Sequence, residues 1–122
     1  MIGAYTTQLA DDELLEGVEV PKLSPDARWG YYKFCRKTGE FPEASAALVL
    51  DPERRTARLF LGALNTAPRP LAALAAQLAQ TGKWSREDCA RAVGAAVPDL
   101  DTVERHTHAA ALARAIQQVF PQ

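Results

Sequence analysis

Apolar and polar positions repeat with a period of two in the first half of the chain and with a helical period in the second. Tyr31 to Lys37 mixes aromatic and basic residues in rough alternation. This predicts a strand with Tyr32, Phe34 and Arg36 on one face and Tyr31, Lys33, Cys35 and Lys37 on the other. Ala44 to Leu50 is almost wholly apolar and predicts a fully buried strand. Thr38-Gly39-Glu40 is the corner between them, where glycine can take positive φ. Ala57 to Leu64 predicts the next strand, with Leu59, Leu61 and Ala63 on one side, and the polar stretch from Asp51 to Thr56 is its hairpin loop. Upstream, Ala4 to Leu9 reads as a short strand, and Asp11, Asp12 and Glu13 start one helical turn. Leu14 to Val20 alternates, and Val18-Glu19-Val20 reads as a strand stopped by Pro21, which has no N–H to donate. Lys22 to Arg28 is a loop.

The period changes after Asn65-Thr-Ala-Pro-Arg-Pro70. Pro70 suits the first turn of a helix. Leu71, Leu74, Ala75 and Leu78 then fall at i, i+3, i+4 and i+7. Gly82 closes that helix. Ser85 with Asp88 three places on has the spacing of a capping box. Cys89, Ala92, Val93 and Ala96 make a second stripe, ended by Pro98. The last helix is expected from about Thr102 to Val119, with Asp99 and Asp101 as loop and cap residues and Leu112, Ile116, Val119 and Phe120 on the buried side. Strands first and helices after argue for a single α+β domain over 1–122. The expectation is an antiparallel sheet of three to four strands followed by three helices packed on one face.

Composition narrows the function. At 122 residues, 48% apolar and 24% charged, the chain has the make-up of one ordinary globular domain. A net charge of −1 and a pI near 6.1 argue against a general nucleic-acid or membrane-surface binder. Cys35 and Cys89 support neither a disulfide framework nor a zinc pattern, which favours a reduced, cytoplasmic setting. No apolar run reaches membrane length. The strand-like opening Met1-Ile-Gly-Ala-Tyr-Thr-Thr is expected to begin a piece cut from something longer.

Little here forms an active site alone. The glycines stand singly, so no glycine-rich loop is available to cradle a phosphate. His106 and His108 point about 200° apart on a helix and cannot chelate one metal; both read as exposed polar residues. Cys35 lies beside Lys33 and Lys37, which could activate a thiol, but no partner acid or histidine accompanies it. Cys89 is a core residue. The acidic run from Asp11 to Glu19 reads as surface. The basic group Arg28, Lys33, Arg36 and Lys37 reads as a solvated strand face or, more sharply, as a contact for an anionic cofactor or partner. Trp29, Tyr31 and Tyr32 beside it could stack on a planar ligand or pack against another domain.

Three stretches carry a resemblance: Asp12-Glu-Leu-Leu-Glu-Gly-Val-Glu-Val-Pro21, Tyr32-Lys-Phe-Cys-Arg-Lys-Thr-Gly-Glu-Phe41, and Ala46-Ala-Leu-Val-Leu50. Leu61-Gly-Ala-Leu64, Ala67-Pro-Arg-Pro70 and the Arg105 to Val119 helix follow in order. Taken together, nearly the whole chain resembles the C-terminal domain of the FAD-binding medium subunit of molybdenum hydroxylases, of the carbon monoxide dehydrogenase and xanthine dehydrogenase type. The resemblance implies a domain that supports a flavin site and subunit assembly, within an oxidoreductase that passes electrons from molybdenum and iron–sulfur subunits to an acceptor. It implies partners in preceding FAD-binding domains, absent here, and in a molybdopterin large subunit and an iron–sulfur small subunit. By position it assigns flavin contacts to Leu14, the leucine after the Asp-Glu pair, and to Lys33, the strand lysine. It also implies that the chain alone binds no FAD and is inactive. Glu40 and Pro42 depart from the aspartate and alanine of many relatives, which bears on the path of the corner. Two other readings stand beside this one: a free-standing interaction module of the same fold without redox activity, and a small nucleic-acid binder using the four cations.

Overall fold

The computed structural model describes residues 6–121. Four strands, β1 (Arg28–Phe34), β2 (Ala44–Asp51), β3 (Thr56–Gly62) and β4 (Arg69–Pro70), precede three helices, α1 (Ala72–Thr81), α2 (Arg86–Ala96) and α3 (Thr102–Gln117). The sheet is antiparallel throughout, in the order β1-β2-β3-β4. α3 lies across β1 and β2, α1 lies on β3, and α2 packs mainly against α3. This is the α+β arrangement that the change of period predicts.

Register divides the residues between two faces. Tyr32 pairs with Ala46 and Ala46 with Leu61; Gly30 pairs with Leu48 and Leu48 with Leu59. These rows face the helices. They form one core with Leu50, Leu74, Leu78, Cys89, Val93, Leu112 and Ile116. Burial of each such leucine stabilises the fold by about 1.5–3 kcal/mol. The α1 stripe Leu71, Leu74, Ala75 and Leu78 is buried as its spacing predicts. Gly82 ends α1 in the left-handed conformation at φ 63°. Reciprocal capping boxes start α2 at Ser85 and Asp88 and α3 at Asp101 and Glu104.

Several expectations need correction. β1 stops at Phe34, so Cys35, Arg36 and Lys37 lie in the connection to β2 and share no strand face with Lys33. β2 is not sealed on both sides, since Ala47 and Val49 are only half-buried on the face away from the helices. β3 ends at Gly62, and Ala63, at φ 58°, turns the chain out of the sheet. Pro70 is not in the first turn of α1. It pairs with Phe60 in β4, where a residue without an N–H is tolerated on an edge strand, and α1 begins two residues later. Residues 14–20 form no strand, and Leu14, Leu15, Val18 and Val20 are exposed. The strand expected over Ala4 to Leu9 lies partly outside the described residues; of the rest, Thr6 forms an isolated bridge and residues 7–9 form no strand. At Asp11 and Asp12 the expected turn is present. It is closed by the Glu13 N–H on the Ala10 carbonyl, and the Glu13 carboxylate accepts from the Ala10 N–H.

The contact of β1 with α3 is unusually close. A Cβ at Gly30 would overlap the carbonyl oxygen of Ala115 and crowd Gln118. A methyl group at residue 30 therefore forces backbone apart from backbone. Gly30→Ala should destabilise the chain by about 2–3 kcal/mol, read as a lowered urea midpoint. Gly17→Ala, with open space around it, should leave the midpoint within about 0.5 kcal/mol of the parent.

Candidate functional site

The helices cover one face of the sheet and leave the other open. Three cross-strand rows make up that open face. Lys33 lies beside Ser45 and Ser45 beside Gly62; Tyr31, Ala47, Phe60 and Pro70 form the middle row; Trp29 lies beside Val49 and Val49 beside Arg58. Trp29 is 64% and Tyr31 48% exposed. The small side chain of Ala47 lies between Tyr31 and Phe60, so the middle row is lower than its aromatic flanks. Lys33 and Arg58 are exposed at opposite corners. An apolar, aromatic surface bounded by cations suits a partner that brings both an apolar body and negative charge.

Lys33 stands where the sequence predicts, on a strand face turned away from the helices. It makes no ion pair or hydrogen bond among the described residues. Leu14 lies on the unpaired segment upstream and is 93% exposed. The structure puts both side chains in solvent and shows no contact between them.

The basic group does not form a patch. Arg28 and Lys33 point to opposite faces of β1, and the Arg28 guanidinium stacks 5.0 Å from the centre of the Phe120 ring. Arg36 pairs with Glu43. Tyr32 likewise separates from Trp29 and Tyr31: it lies on the helix side beneath the Arg114 guanidinium, at 5.3 Å.

Other groups with possible chemistry are structural. Asp51 is fully buried and ties the chain upstream of β1 to the β2–β3 turn. Its carboxylate accepts from the N–H of Ser24 at 2.9 Å and of Arg54 at 3.2 Å. The Ser24 N–H is the main reason its pKa is lowered; burial opposes this, and the Arg54 N–H and guanidinium add to it. Asp88 is lowered chiefly by the Ser85 hydroxyl, against the effect of burial, with help from the Ser85 N–H, Gln77 and Arg91. Burial pushes the Cys89 thiol up to about 11, which keeps it protonated and unreactive. Cys35 is half-buried, and its thiol donates to the Glu40 carbonyl at 3.4 Å. An open groove of about 480 Å³ between α2 and α3, lined by Trp84, Arg86, His106 and Arg114, lies on the helical side of the molecule. No group of three or more possible metal-ligating side chains occurs among the described residues.

His108 is the clearest surprise. It is 2% exposed, while His106 is exposed, so the two rings do diverge but only one is a surface residue. The ring at 108 is on the buried side because it falls one turn before Leu112 on the α3 stripe. That spacing was available in the sequence.

Comparison with known proteins adds a partial likeness. The chain is 31% identical over 71 residues to the carbon monoxide dehydrogenase medium chain of Hydrogenophaga pseudoflava, a match covering 57% of this chain and 25% of that protein. It is 41% identical over 49 residues to the nicotine 6-hydroxylase medium subunit of Paenarthrobacter nicotinovorans, covering 40% of this chain and 17% of that protein. Both relatives are medium subunits. The match thus spans about a quarter or less of the length of either one. No protein-family model matches the chain, and no solved structure matches it. No helix among the described residues is long and apolar enough to cross a membrane.

The buried histidine sets a pH dependence. Burial holds its pKa below the ordinary 6.5, with Glu104 opposing, and Nδ1 has no hydrogen-bond partner. Below pH 6.5 the unfolded chain takes up a proton that the folded chain refuses. The associated stability is therefore complete above that pH and is lost as the pH falls toward the lowered value. The parent chain should lose up to about 1.4 kcal/mol per pH unit in this window, read from urea midpoints. His108→Leu should flatten that slope without removing the acid dependence set by Asp51 and Asp88, whose stability is lost as the pH falls through their own lowered pKa values.

Proposed function

We propose that this chain is the C-terminal domain of the FAD-containing medium subunit of a molybdenum hydroxylase-type oxidoreductase. The observation that carries the reading is the double likeness to medium subunits, each covering a minor part of the relative. In this reading the remainder of such a subunit supplies the FAD-binding domains, and a molybdopterin subunit and an iron–sulfur subunit complete the assembly. The chain's role is to wall the flavin site and to hold the subunits together.

The residues fit a supporting role toward FAD rather than a complete site. Among the described residues the glycines stand apart, Gly30 packed against Ala115, Gly62 facing Ser45, and Gly39 and Gly17 in open space, so they form no glycine-rich loop for a pyrophosphate. Bound FAD supplies the two-electron and one-electron steps that link the metal centres to an external acceptor. In this reading the exposed Lys33 ammonium donates to a flavin carbonyl or a phosphate oxygen. Leu14 offers an exposed apolar side chain to exclude water from a ring. A free-standing interaction module would use the same open face of Trp29, Tyr31 and Phe60 with no flavin present, and the flavin experiments separate the two.

In the complete subunit, Lys33→Ala should weaken FAD retention about tenfold, with Lys33→Arg intermediate, measured by flavin release during dilution. FAD added to the 122-residue chain alone should leave the flavin absorbance unperturbed. Tight binding by this chain, or full FAD retention in the Lys33→Ala subunit, would contradict the assignment.

A further inference from the structure

The order of the sheet leaves one side of β1 without a strand among the described residues. The side chain of Gln118, just past the end of α3, reaches that side. Its carbonyl oxygen accepts from the Tyr31 N–H at 3.0 Å, and its amide donates to the Tyr31 carbonyl at 2.9 Å. One primary amide thus makes the pair of bonds that one residue of a neighbouring antiparallel strand would make. Strand geometry turns the backbone groups of Trp29 and Lys33 toward the same edge. A free edge of this kind is a template for another chain.

The same molecule carries a segment suited to that template. Residues 14–20 are unpaired, and Leu14, Val18 and Val20, which alternate to one side, are 93%, 77% and 81% exposed. From Asp11 to Val20 the chain has five acids, Asp11, Asp12, Glu13, Glu16 and Glu19, and no cation. From Arg28 to Gly39 it has four cations and no acid; Lys33 and Lys37 have no acidic partner among the described residues, while Arg36 is paired with Glu43 and Arg28 is turned to the helix side. Segment and edge are therefore complementary in charge as well as in strand character. Among the described residues the segment does not pair with the edge of its own β1. Between them, Ser24 is tied to Asp51 at the end of β2.

We propose that the outer edge of β1 is a strand-docking site for the acidic segment 14–20 of a second copy of this chain, with the Gln118 amide holding its place in the free molecule. Docking exchanges the two Gln118 bonds for main-chain bonds along β1. It lays Leu14, Val18 and Val20 beside Trp29 and Tyr31. The proposal concerns the chain by itself; the flavin reading places Leu14 against a ring in a complete subunit, and the two are tested by separate experiments.

Sedimentation equilibrium of the full chain tests it, together with amide NMR during titration with a peptide spanning residues 11–21. The expected results are a reversible dimer that weakens with salt, a dimer about tenfold tighter in Gln118→Ala, and one at least about tenfold weaker in the double variant Glu16→Lys, Glu19→Lys. The peptide should shift the amide signals of Trp29 and Lys33. A natively folded Gln118→Ala chain that stays monomeric, a dimer indifferent to the charge reversal, or a peptide that leaves the β1 amides unmoved overturns the proposal. Should Gln118→Ala not fold, the peptide titration of the parent chain decides by itself.

Discussion

The close seating of α3 on β1, at a point where neither element brings a side chain larger than a methyl group, governs the arrangement of this molecule. Gly30 leaves room for the carbonyl of Ala115, and that proximity sets the height of the helix above the sheet. At this height Leu112 and Ile116 meet Leu48 and Leu59 in one core. The end of the helix arrives beside the edge strand, so that Gln118 can bond Tyr31 in both directions. A bulkier residue at position 30 would lift α3, open the core and withdraw the amide from the edge at once.

Covering one face so completely leaves the other to do something else. Three helices lie on one side of the sheet, while the opposite side presents Trp29, Tyr31 and Phe60 with Lys33 and Arg58 at its corners. The unpaired segment upstream of β1 adds four more exposed apolar residues. Surfaces of this kind on a small domain are where other polypeptide or a large ligand is received. The likeness to medium subunits extends over only a fraction of the length of those proteins.

Much of the fold was legible because period is a direct consequence of geometry. The Leu71, Leu74, Ala75, Leu78 stripe and the Ser85–Asp88 cap each depend on residues within one or two turns of one another, and each took the predicted form. What escaped depended on distant neighbours. Pro70 looks like a helix start when only the next ten residues are considered, but Phe60 recruits it to the sheet. The alternation of Leu14 to Val20 is that of a strand, yet a strand needs a partner, and pattern alone does not supply one. Of the candidate site, the outward face of Lys33 followed from alternation. The parting of Tyr32 from Tyr31 followed from it as well, but the partners that hold Arg28, Arg36 and Tyr32, namely Phe120, Glu43 and Arg114, did not, because alternation within one strand carries no information on contacts beyond it.

The division of the sheet into a covered structural face and an open working face is best tested by hydrogen exchange, comparing this chain in dilute solution with the same residues inside the complete medium subunit proposed above. Amides of β1 and of residues 14–20 should gain protection in the complete subunit, while those around the groove between α2 and α3 exchange alike in both. Protection gained along that helical groove, with β1 and the upstream segment unchanged, would contradict the division and place the working surface on the opposite side of the molecule.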